Sequence, residues 1–82
     1  MLHDKIEDSN KVVGSKQVKK AVRNGLASKV YLAGDAEPHI IKPLRDICLQ
    51  HEVELEMIDT MEELGQACGI EVGAAAVALL KA

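Results

Sequence analysis

Lys16, Lys19, Lys20 and Arg23 recur at i, i+3, i+4 and i+7, the spacing that lines side chains up along one side of a helix. Four cations in such a row can neutralise phosphates. Gln17 stands among them and can both donate and accept hydrogen bonds, so it could read a base edge or a sugar. Val18, Ala21, Val22 and Leu26 repeat on the opposite side and are expected to be buried. Gly14 and Ser15 precede the row, with Ser15 the expected N-cap, and Gly25 closes it where a helix C-cap is expected. A helix starting here would aim unpaired backbone amides and a positive dipole end at whatever lies beside Lys16.

The basic character is local. Residues 11–34 hold Lys11, Lys16, Lys19, Lys20, Arg23 and Lys29 and no acid, while all thirteen acids lie elsewhere, for a net charge of −3 and a pI near 5.5. An acidic body repels polyanions in general, so a confined basic face implies an anionic partner of defined shape. A lysine-rich face that is merely solvated is the alternative.

At 82 residues the chain is one domain with an aliphatic core, since it has no Phe, no Trp and the single tyrosine Tyr31. Modules that read single-stranded RNA stack bases on surface aromatics, and this composition excludes that mode. Cys48 and Cys68 are far apart, without a Cys-x-x-Cys pair or a His cluster, so a zinc or redox site is not indicated and burial is expected. No apolar run is long enough to span a bilayer and no signal peptide is recognisable, which places the protein in the cytoplasm with no membrane partner. Glu52, Glu54, Glu56, Glu62 and Glu63 read as solvated faces. His3, His39 and His51 lack a neighbouring nucleophile, so the chain does not read as an enzyme.

The elements that must position these residues alternate. Leu2 and Ile6 suggest a short helix over residues 1–8, and Val12 and Val13 a brief strand ending at Gly14. After the basic helix, residues 29–34 form an apolar run suited to an interior strand. Asp35 to Pro38 form a turn. A helix follows, with Ile40, Leu44, Ile47, Cys48 and His51 on one face and Pro43 in its first turn. Residues 53–58 alternate apolar and acidic, the pattern of a strand near a sheet edge. Thr60 can cap a short helix with Glu63 at the reciprocal position and Gly69 ending it. The alanine-rich residues 74–80 have helical propensity, but the β/α alternation makes them a strand. Parallel crossovers through helices would cover both sheet faces and give a three-layer α/β/α sandwich.

Between the last helix and strand lie Ile70, Glu71, Val72 and Gly73, followed by Ala74 and Ala75. Apolar residues in a loop either fold back on the core or form a surface for a partner. The pattern Gly14-x-x-Gln17-x-x-Lys20-Ala21-Val22-x-x-Gly25, then Asp35-x-x-Pro38, and above all Leu64-Gly-x-Ala-Cys-Gly-Ile-Glu-Val-x-Ala-Ala75 resembles the kink-turn-binding ribosomal protein family of the L7Ae/L30e type, in its small bacterial members. The likeness spans nearly the whole chain. It implies a mixed four-stranded sheet and a strand for the last segment. It also implies RNA contacts at Gly14, Ser15, Lys16, Gln17 and Lys20, beside tandem sheared G·A pairs in a widened groove. Arg23 extends that face, Asp35 falls among the matching positions, and Ile70, Glu71, Val72, Gly73, Ala74 and Ala75 would meet the splayed nucleotides of the bulge. The chain departs from the common family pattern at Lys16-Gln17, where many members have Asn-Glu, at Gly73, where many have Pro, and at Met61 and Gln66, where many have Lys.

The function so implied is non-enzymatic: binding and stabilising kink-turn RNA as a monomer without a cofactor, at the ribosome, on ribosomal RNA or on structured elements such as riboswitches. The other reading is a protein adaptor that docks a partner on the apolar loop after Gly69.

Overall fold

Seven elements follow one another in the computed structural model of the chain, which describes residues 10–70 and 73–81. They are β1 (Lys11–Val13), α1 (Ser15–Arg23), β2 (Ala27–Ala33), α2 (Pro38–Gln50), β3 (Glu54–Ile58), α3 (Met61–Ala67) and β4 (Ala76–Leu80). The helix expected over residues 1–8 lies outside the described residues. The sheet runs β1-β4-β2-β3. β4 is antiparallel to both neighbours, with Val13 opposite Val77 and Tyr31 also opposite Val77, while β2 and β3 are parallel. The sheet is therefore mixed, as the resemblance implies, and not the product of parallel crossovers alone. β3 lies at an edge and β2 in the interior, as their patterns predict.

Each central strand alternates its side chains between two cores. On one face Val18, Ala21 and Val22 of α1 and Leu44, Ile47 and Cys48 of α2 pack over Val30, Leu32, Ala76 and Ala78. On the other, Leu64 and Ala67 of α3 with Cys68 cover Tyr31, Ala33, Ile58, Val77 and Leu79. The result is an α/β/α sandwich. Ala76 and Ala78 are wholly buried. Their alanines serve the packing of helices over a central strand, which overrides their helical propensity.

The helix ends explain where single residues depart from expectation. Gly25 and Gly69 have φ of 72° and 76°. Each closes its helix in the same way: Leu26 N–H bonds Ala21 O at 2.9 Å, and Ile70 N–H bonds Gly65 O at 3.1 Å. Because the chain reverses at Gly25, Leu26 leaves the helical period and is 52% exposed, not buried. α2 begins at Pro38, so Pro38 occupies the first turn and Pro43 lies inside the helix, where it cannot donate to the His39 carbonyl. His51 is the C-cap of α2 and is exposed rather than part of the buried face. Both cysteines are free and buried, and burial pushes their thiols up. No helix among the described residues is long and apolar enough to cross a membrane.

Candidate nucleic-acid interface

The registers make β1, β2 and β3 run the same way and β4 oppositely. The ends of the first three strands, the starts of the helices that follow them and the entry to β4 therefore gather at one end of the sheet. The first turn of α1 and the segment leading into β4 meet there. Gly14 N–H donates to Ala76 O at 2.9 Å.

Gly14 is the N-cap of α1, with φ 109° and ψ 145° and no side-chain cap bond. Ser15 is the first helical residue, so the expected serine cap is not formed. The backbone must turn from β1 into α1 through a conformation that only glycine adopts easily, and that places Gly14, not Ser15, at the cap. The only intrahelical bond that Gly14 makes is through its carbonyl, to Val18 N–H at 2.9 Å. The first turn contains no acid, so among the described residues no carboxylate of that turn offsets the positive dipole of this helix end.

Lys16, Gln17, Lys20 and Arg23 are exposed and Lys19 is half-buried. Among the described residues none of these cations makes an ion pair. The helix over Ser15–Arg23 sets the four cations along one side, and two grooves border them. Lys16 and Lys19 line a groove of about 320 Å³ against His39 and Pro43 of α2. Gln17, Lys20 and Asn24 line another, of about 150 Å³, beside Val12 and Leu80. Lys29, the remaining cation of β2, is used internally: it bonds Glu56 at 2.9 Å and lies 3.5 Å from Glu54. The Glu56 bond raises its pKa, so it belongs to the fold and not to this face.

Across from α1, Gly73 is exposed, Ala75 half-buried and Ala74 buried. The amide of Ala74 bonds Met61 O at 3.0 Å and the carbonyl of Ala75 accepts from Ala33 N–H at 2.9 Å. Ile70 packs against the α3 core, the fold-back outcome for that residue. Glu71 and Val72 lie outside the described residues. Asp35, 26 positions before Met61, accepts the Met61 N–H through Oδ1 at 2.7 Å. Asp35 is named in the sequence by resemblance alone, and Met61 only as a position where many family members have Lys; their bond is visible in the structure. Tyr31 is wholly buried, its hydroxyl without a hydrogen-bond partner among the described residues. The chain's single aromatic ring is therefore not a stacking surface. Among the described residues no three His, Cys, Asp or Glu side chains gather as metal ligands.

This constellation has relatives. An RNA-binding protein of Caldanaerobacter subterraneus subsp. tengcongensis is 48% identical over 68 residues, 83% of either chain. The RNA-binding protein YbxF of Geobacillus stearothermophilus is 39% identical over 82 residues, 99% of this chain and 100% of its own. Among solved structures, the Giardia lamblia 15.5kD RNA binding protein superposes with a TM-score of 0.83 at 29% identity, over 88% of this chain and 61% of that one. Residues 2–82 match the sequence profile described as the Ribosomal protein L7Ae/L30e/S12e/Gadd45 family. With the profile spanning almost the whole chain and relatives of 39–48% identity over 83–100% of their length, the chain belongs to that family, a non-enzymatic one.

Proposed function

We propose that this chain is a single RNA-binding domain that recognises kink-turn RNA and holds it in the kinked form, working in the cytoplasm at the ribosome or on structured RNA elements. The observation that carries the reading is the Gly14–Ala76 hydrogen bond. It sets an uncapped, acid-free helix start beside the residues that lead into β4, so one ligand can touch both. An ordinary A-form groove is too deep and narrow for side chains, whereas the opened groove of a kink admits the first turn of α1. Lys16, Lys20 and Arg23 would meet phosphates, Gln17 a base edge or sugar, and residues 73–75 the bulge. With Tyr31 buried, selection would rest on shape and backbone. That relatives carry RNA binding in their names supports the same reading. The adaptor reading is weakened because Ile70, half of its apolar pair, is turned to the core.

Binding that requires the kink must favour it, and moving a population from about 1:99 to 99:1 takes roughly 5.5 kcal/mol of differential affinity. End-to-end fluorescence transfer on a kink-turn duplex without divalent ions should rise to the kinked value as protein is added. It should stay low when the G·A pairs become Watson–Crick pairs. Equal affinity for the two duplexes would discard this function and favour the adaptor.

A further inference from the structure

We propose that Asp35 is a positioning residue of the interface. Acting through the backbone of Met61, it holds residues 73–75 in register with Gly14 and does not itself contact RNA. The proposal rests on the RNA-binding reading above.

A short relay of bonds links Asp35 to the entry of β4. Met61 is the first residue of α3, so its N–H has no partner within the helix. Asp35, just past the end of β2, supplies one: its Oδ1 accepts that N–H at 2.7 Å, a charge-assisted bond at a positive helix end. The Met61 carbonyl in turn accepts Ala74 N–H at 3.0 Å. Gly73 lies flat on this peptide. A Cβ there would stand 3.1 Å from the Met61 Cβ and 3.3 Å from its carbonyl carbon and oxygen. Beyond Ala74 the chain is tied to the sheet by Ala33 N–H to Ala75 O and by Gly14 N–H to Ala76 O, both 2.9 Å. The sheet-side ties are all backbone. On the Met61 side, where Leu64 and Ala67 seat α3 in the core, the Met61 amide itself is held by a side chain, Asp35. A carboxylate is also a poor neighbour for phosphate, so at an RNA-facing end its use is toward the protein.

The test compares Asp35→Ala, Asp35→Asn and Thr60→Ala in the full chain. Asn keeps an Oδ1 acceptor. Thr60→Ala removes the other α3 cap, Thr60 Oγ1 to Glu63 N–H at 3.0 Å, which has no part in the relay. Two quantities are read: affinity for a kink-turn RNA, and amide hydrogen exchange at Met61 and Ala74. The expected result is that Asp35→Ala binds about tenfold more weakly, and exchanges Ala74 about tenfold faster than Thr60→Ala does, with Asp35→Asn restoring both. Unchanged Ala74 exchange in Asp35→Ala would overturn the proposal. So would an equal affinity loss in Thr60→Ala, or failure of Asp35→Asn to restore binding. If the unaltered protein does not prefer kinked RNA, the functional reading fails on its own. The exchange comparison then still decides the relay: faster Ala74 exchange in Asp35→Ala than in Thr60→Ala upholds it, and equal exchange rejects it.

Discussion

Two helix starts lie at the same end of the sheet and are finished in opposite ways. α3 is closed: Thr60 Oγ1 caps Glu63 N–H, Asp35 takes the Met61 amide, and Glu62 and Glu63 set negative charge in the first turn. α1 is open: its N-cap is Gly14, no side chain among the described residues caps it, and its first turn holds Lys16 and no acid. Helix physics favours the first arrangement for stability. An end that forgoes it, and adds cations of its own, suits an anion that comes from outside. Lysine shows the same division. Lys29 is paired with Glu54 and Glu56, whereas Lys16 and Lys20 make no ion pair among the described residues.

The comparison can be broken from either side. Lys16→Glu gives α1 the acid that α3 already has. By the dipole argument it should raise stability by about 0.3–1 kcal/mol at low salt, read from the urea midpoint. Yet it should weaken kink-turn binding by about a hundredfold, since a like charge facing phosphate costs several kcal/mol. Stability and affinity moving down together would mean that Lys16 serves the fold. The smaller effect is at the closed end. Thr60→Ala should lower unfolding free energy by about 1 kcal/mol and leave RNA affinity and its salt dependence unchanged. A flatter salt dependence in that variant would place phosphate on α3 and erase the distinction.

Much of this was legible before the structure, for identifiable reasons. Gly25 and Gly69 mark helix ends because glycine accepts a positive φ without cost, and both do so here. Glu52 does the same work after α2 at φ 55°, but nothing in its residue type announces it. The apolar run of β2 and the alternation of β3 reported interior and edge correctly, because burial on two faces or one leaves its mark on composition. Pro43 is expected in the first turn of α2 and Pro38 in the turn before it, but the helix starts at Pro38 and carries Pro43 inside. Ser15 has the chemistry of a cap, but the turn out of β1 requires the backbone freedom of Gly14 one position earlier. The link from Asp35 through Met61 to Ala74 joins three distant segments, and no local pattern encodes it. The two grooves that border the cations of α1 depend likewise on α2 and β1, which periodicity along one helix does not report.

Under the proposed function, the open start of α1 and the segment entering β4 form one RNA surface. Backbone amide chemical shifts, followed while a kink-turn RNA is titrated into the protein, test it most directly. Gly14, Ser15, Lys16 and Gln17 should shift together with Gly73 and Ala75 at a single stoichiometry, while Lys29 and β3 stay in place. Shifts confined to β3 and the acidic residues after it, or movement of α1 with Gly73 and Ala75 silent, would contradict it.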